Sequence, residues 1–90
     1  MSVTVSLPPV LQALAGDVKS VTADGSTVCE CLKDLAARYP RLKAKLIDTR
    51  GNLPKGTNIF VNGKNIYPGP LAYPLHDGDK VHISYLVLGG

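Results

Sequence analysis

One stretch of helical periodicity, bracketed by alternating strands, constrains this 90-residue chain more than any other feature. Thr27 followed by Glu30 forms a capping box. The Thr27 hydroxyl accepts a helical N–H, and the Glu30 carboxylate reaches back to the N–H of Thr27. Val28, Leu32, Leu35 and Tyr39 then share one face at helical spacing, and Pro40 stops the run. The helix is predicted over Val28 to Arg38. A lone amphipathic helix has to bury its apolar stripe against another layer, and the flanking segments supply strands.

Before the helix, Val3, Val5 and Leu7 alternate with Ser2, Thr4 and Ser6, which predicts a half-buried strand. Pro8 and Pro9 end it or push it to an edge. Gly16-Asp17 offers turn chemistry, and Val18 to Ala23 is a weaker strand, expected antiparallel to the first. After the helix, Arg41 to Ile47 predicts a second short helix and Asp48 to Gly56 a loop. Asn58 to Asn62 is a strand with Ile59 and Val61 inward and Phe60 outward. Asn62-Gly63 is the strongest hairpin signal in the chain, and Lys64 to Tyr67 would be a brief return. Pro68-Gly-Pro70 breaks it. Asp77-Gly78 turns into a last strand, Lys80 to Leu88, with Val81, Ile83, Tyr85 and Val87 on one face and His82, Ser84, Leu86 and Leu88 on the other. The order implies an α+β layer fold, a mixed four- to five-stranded sheet packed on one main helix plus a short second helix; analogy with known folds of this layout, as well as the pattern, puts the last strand in the middle and parallel to the first.

Composition narrows the function. A hydrophobic content of 44% argues for a packed globule. There is no apolar run near the ~20 residues of a membrane helix. Residues 1–7 lack a basic leader region and alternate as a strand, which places the protein in the cytoplasm and away from membranes. Two cysteines make no disulfide framework. A net charge of +3 favours an acidic partner surface and is too weak to imply nucleic acid.

The chain runs its last strand into Gly89-Gly90, a pairing expected by chance in about 0.5% of chains. Residues without Cβ can extend into a channel where a side chain would clash. The group delivered there is the α-carboxylate of Gly90, a poor acyl donor until ATP-dependent adenylation provides a leaving group. A sulfur nucleophile or a lysine amine can then attack the acyl carbon. The division is a body, 1–88, and a flexible reactive tail, 89–90.

The sequence resembles the ThiS/MoaD family of sulfur carrier proteins, which share the ubiquitin-like β-grasp fold. The resemblance rests on Val3-Thr-Val-Ser-Leu7, Thr27-Val-Cys-Glu30, Asn58-Ile-Phe-Val-Asn-Gly63, Leu75-His-Asp-Gly-Asp-Lys-Val81 and the terminal Gly89-Gly90. It implies that an E1-like enzyme adenylates Gly90 with ATP, that sulfur converts the adenylate to a thiocarboxylate, and that a second enzyme takes the sulfur into a product. The carrier itself would be a protein co-substrate with no catalytic residues, metal or bound cofactor, and a monomer when free. The product would be a cofactor of the molybdopterin or thiamine type, or a sulfur amino acid such as cysteine or homocysteine. The Arg41–Gly56 segment is absent from the shorter thiazole-forming members. Tyr85-Leu-Val-Leu88 departs from the Pro-Pro-Val-x-Gly-Gly ending common among molybdopterin members. Two other functions stay open: a ubiquitin-like modifier joined to lysines through Gly90, and a non-catalytic β-grasp binding module.

Other residues are weighed against simpler roles. Cys29 and Cys31 lie about 200° apart on a helix, so they neither share a metal nor form a disulfide, and small semi-buried hydrophobes are expected. His76 and His82 have only the turn acids Asp77 and Asp79 nearby and are expected at the surface. Seven basic residues against Asp48 between Arg38 and Lys64 suggest a solvated face. Leu86 and Leu88 fall on the outward side of the last strand with Phe60, which suggests that the three dock the adenylating enzyme beside the tail.

Overall fold

A computed structural model describes residues 2–47, 53–54, 56–66, 69 and 71–85. The elements are β1 (Ser2–Ser6), α1 (Pro9–Gln12) running into a 3₁₀ turn (Ala13–Ala15), β2 (Ser20–Asp24) and α2 (Val28–Arg38). A 3₁₀ turn (Pro40–Leu42), α3 (Lys43–Leu46), β3 (Thr57–Val61), β4 (Lys64–Asn65) and β5 (Lys80–Tyr85) follow. The five strands form one sheet in the order β2-β1-β5-β3-β4. As expected, β1 and β2 are antiparallel and β5 lies in the middle, parallel to β1 and antiparallel to β3.

Alternation decides which face is buried. Val3, Val5, Val21, Ala23, Ile59, Val61, Val81 and Ile83 point to one side and are buried. Onto them packs the stripe of α2, Val28, Cys31, Leu32 and Leu35, spaced i, i+3, i+4, i+7. Each fully buried leucine contributes about 1.5–3 kcal/mol. Leu11, Leu42 and Leu46, all fully or almost fully buried, extend this layer from the short helices. The segment expected as one helix over Arg41 to Ile47 is split between a 3₁₀ turn and four α-helical residues.

Residues 9–15 carry helix where the two prolines suggested only a strand end. Pro9 occupies the first helical position, where a missing N–H loses nothing and φ is already set. Gly16, at φ 82°, closes the turn in the left-handed conformation. Leu11 gives the helix its burial.

The capping box forms with one change. The Glu30 N–H donates to Thr27 Oγ1 at 3.2 Å, as expected. The Glu30 carboxylate, however, accepts from the N–H and hydroxyl of Ser26, both at 2.8 Å, rather than from Thr27. Ser26 offers two donors to one oxygen, and these hold the Glu30 carboxyl below its ordinary value, the backbone hydrogen bond most of all. Val28 N–H donates to Tyr73 O and Cys29 N–H to Leu71 O, each at 3.0 Å. Leu71 and Tyr73 thus close the helix N-terminus together with Thr27, leaving none of its first three donors open.

At the start of β5, side chains and backbone join three elements. Asp77 Oδ1 accepts from Ser2 N–H at 2.9 Å. Gly78 N–H donates to Ser2 O, and Thr4 N–H to Asp79 O. Asp79 accepts from His76 N–H and from Asn62 Nδ2, while Asn62 Oδ1 accepts from Lys80 N–H. Asn62, at φ 52°, is thereby both the hairpin residue and a strut between hairpin and β5.

Two predictions follow from this packing. A Cβ on Gly25 would lie 2.6 Å from Cys31 N, a backbone atom of α2. Gly25→Ala is therefore expected to lower stability by about 1–3 kcal/mol in urea unfolding. An unchanged midpoint would show that the 25–27 segment can withdraw from the helix. Asp79, held below its ordinary 3.8 mainly by the His76 backbone hydrogen bond and then by Asn62, adds stability that is complete above that value and lost as pH falls through the folded pKa. Asp79→Asn should flatten the fall of the urea midpoint below about pH 4; an equally steep fall would assign it to other carboxylates.

Candidate functional site

Of the residues expected to work on a partner, Phe60 belongs to β3, while Leu86, Leu88, Gly89 and Gly90 follow β5 in the sequence and lie outside the described residues. β5 is hydrogen-bonded on both sides, to β1 through Thr4↔Lys80, Val5↔Val81 and Ser6↔His82, and to β3 through five pairs from Val61↔Val81 to Thr57↔Tyr85. Val81 and Ile83 fix it to the core. The strand is clamped at its start by Asn62 and Asp79 and heads toward the tail from the opposite end, where β1 finishes and β3 begins.

Phe60 points to the open face of the sheet, as expected, and is half-buried. Its ring centroid lies 6.2 Å from that of His82, tilted at 55°. The strand register sets Ser20, Ser6, His82, Phe60 and Asn65 in one row across all five strands. Phe60 is thus the one hydrocarbon ring in a row otherwise made of hydroxyl, amide and imidazole groups.

The remaining sequence candidates resolve into structural roles. Cys31 is fully buried, more so than expected, because it stands at i+3 within the apolar stripe. Burial, then the nearby Asp34 carboxylate, pushes its thiol up to about 12. Cys29 is half-buried at the edge of that stripe. His76 and His82 are exposed, and His76 lies 3.9 Å from Asp79. Among the described residues no group of three or more His, Cys, Asp or Glu is arranged to hold a metal. In the basic segment, Arg38 pairs with Asp34 at 3.1 Å and sits over the Tyr39 ring. Lys33 and Lys43 flank an open cleft of about 360 Å³ floored by Ala36, Ala37 and Ile47. No described helix is long and apolar enough to cross a membrane. The struts from Asn62 and Asp79 were not foreseen; the Asn-Gly signal marked the turn, and nothing local marks a partner 17 residues away.

Thiol labelling checks the cysteine assignment. A thiol reagent should modify Cys29 alone in the native protein and both thiols in denaturant. Modification of Cys31 at a comparable native rate would mean that α2 opens readily.

The chain matches the ThiS family over residues 5–90. It is 40% identical over 93 residues to the sulfur carrier protein CysO of Mycobacterium tuberculosis, with all of both chains covered. The crystal structure of that organism's CysO superimposes with a TM-score of 0.85 at 39% identity, covering 94% of this chain and 99% of the other. CysO in the Amycolatopsis orientalis BexX/CysO complex gives 0.87 at 37%, covering 98% and 99%. The small archaeal modifier protein 1 of Methanosarcina acetivorans gives 0.84 at 31%, covering 99% and 96%. With β5 central, one main helix across the buried face and a full-length match through residue 90, the chain belongs to the ThiS family: a sulfur carrier protein, serving as a co-substrate rather than a catalyst, on the ubiquitin-like β-grasp fold.

Proposed function

We propose that Gly90 is the acyl group on which this carrier works and that Gly89 supplies clearance for it. The observation that carries this is the position of β5: the strand leading into the glycines is central, buried on one face and paired on both sides. In the proposed cycle a carboxylate oxygen of Gly90 attacks the α-phosphorus of ATP on an E1-like enzyme, and pyrophosphate leaves. Hydrosulfide then attacks the acyl carbon, AMP leaves, and a thiocarboxylate is formed with loss of the sulfur's proton. A second, sulfur-accepting enzyme receives the sulfur in the cytoplasm. The BexX/CysO complex supports the idea that a carrier of this type is met by an enzyme partner while folded.

The acceptor we favour is a precursor of a sulfur amino acid rather than of molybdopterin. The support is the 40% identity to CysO together with a tail that reads Tyr85-Leu-Val-Leu88 before its glycines. A second function has its own support in the likeness to a small archaeal modifier protein. Modifier and carrier share the adenylate and differ only in whether sulfur or a lysine amine attacks it.

Docking is assigned to the open face of the sheet, with Phe60 as its described member and Leu86 and Leu88 as its companions toward the tail. A ring only half-buried among polar side chains is a suitable anchor for a partner that brings its own apolar surface.

Intact mass after incubation with ATP, the adenylating enzyme and a sulfide source tests the cycle. The expected product is heavier by about 16 Da, one oxygen exchanged for sulfur, and absent when Gly90 is deleted. Lysine conjugates in place of that product would favour the modifier, and an unchanged mass would remove both. Phe60→Asp is expected to raise the KM for the chain at least about tenfold, with far-UV circular dichroism unchanged. An unaltered KM would take Phe60 out of the docking surface.

A further inference from the structure

Strand β2 is one outer strand of the sheet and β4 the other. β4 is two residues long, which offers little to an incoming strand. β2 is five residues, Ser20-Val-Thr-Ala-Asp24, alternating and containing neither lysine nor proline. Of the devices that protect an exposed edge, its own sequence carries only the charge of Asp24 at its end. Leu7 N–H bonds Lys19 O, so the odd-numbered residues of this segment turn their main-chain groups to β1. Ser20, Thr22 and Asp24 direct theirs outward.

Two side chains of α2 occupy that outward edge. Asp34 Oδ2 accepts from Asp24 N–H at 2.9 Å, and Arg38 Nη2 donates to Thr22 O. The two are one helical turn apart and ion-paired at 3.1 Å. An added antiparallel strand would engage this carbonyl and this N–H through the N–H of one of its residues and the C=O of the residue two positions away. The guanidinium and carboxylate stand where that N–H and C=O would be.

We propose that the β2 edge is a strand-accepting surface for a second copy of this chain, held shut by Asp34 and Arg38. A second copy fits because an antiparallel two-fold pairing centred on Thr22 is self-complementary: Thr22 meets Thr22 of the second copy, and Ser20 meets Asp24 of the second copy. It brings no like charges together and continues the buried face of one sheet into that of the other. The Asp34–Arg38 pair is then a latch that keeps the carrier monomeric, over and above any contribution to stability.

Sedimentation velocity on the full chain tests this, with hydrogen exchange read at the Thr22 amide. The wild-type chain should sediment as one chain with that amide exchanging freely. D34A/R38A should sediment at twice the mass, with exchange at Thr22 slowed at least about tenfold. Adding T22K, which sets two ammoniums against each other on the two-fold axis, should return the double variant to one chain. If the double variant does not fold, D34A/R38M, which keeps an unbranched side chain at 38 while removing both hydrogen bonds to the edge, carries the same expectation. A folded variant that stays monomeric would overturn the proposal. So would a dimer whose Thr22 amide still exchanges freely, a dimer that T22K does not disrupt, or a wild-type dimer.

Discussion

The parallel pairing of β1 with β5 is the constraint on which the rest of the structure depends. It brings together residues as far apart as Ser2 and Asp77, 75 positions along the chain. Parallel neighbours cannot be joined by a hairpin, so the intervening chain has to leave the sheet and cross one of its faces. α2 makes that crossing and buries the only face it can reach. With β5 in the middle, its other side is free for β3, and the sheet grows outward in both directions from the two chain ends. Closing so long a loop is entropically expensive, and the Asp77–Asp79 turn helps to offset it by bonding directly to Ser2 and Thr4.

Polar groups serve this topology from the rim. Among the described residues no polar or charged residue is buried in the core. The carboxylates of Glu30, Asp34, Asp77 and Asp79 all accept from main-chain N–H groups, at a helix start, a strand edge or a turn. Charge here completes backbone hydrogen bonding where regular structure stops, which is where unpaired donors would otherwise accumulate.

How much of this was legible in the sequence depends on how local each signal was. The β1 alternation, the Thr27 cap, the Pro40 stop and the Asn62-Gly63 turn each act within a few residues, and each appears where expected. The central position of β5 was legible through the fold resemblance and the long crossover, not through any residue of β5 itself. The two prolines that predict a strand end are equally compatible with the helix over residues 9–15, because a proline at N1 and a glycine at the close are start and stop signals. Glu30 reaching Ser26, and Leu71 and Tyr73 capping α2, depend on where another segment passes. At the site, Phe60 facing outward followed from strand parity. The burial of Cys31 required the exact phase of α2, which a face defined by Val28, Leu32 and Leu35 left ambiguous by one position.

The placement of β5 also has a mechanical consequence. In the proposed cycle, a partner that draws Gly89-Gly90 into its active site would load a strand bonded to β1 on one side and β3 on the other. Tension along that strand loads both ladders in shear, so many hydrogen bonds must yield together rather than one after another as in peeling an edge strand. The clamp at the far end, through Asn62 and Asp79, resists slippage of the whole strand by one register. If the end of the carrier is handled by one enzyme after another, as proposed above, the strand leading to it is anchored along its length like a rope, and the sheet would absorb the force of each handover.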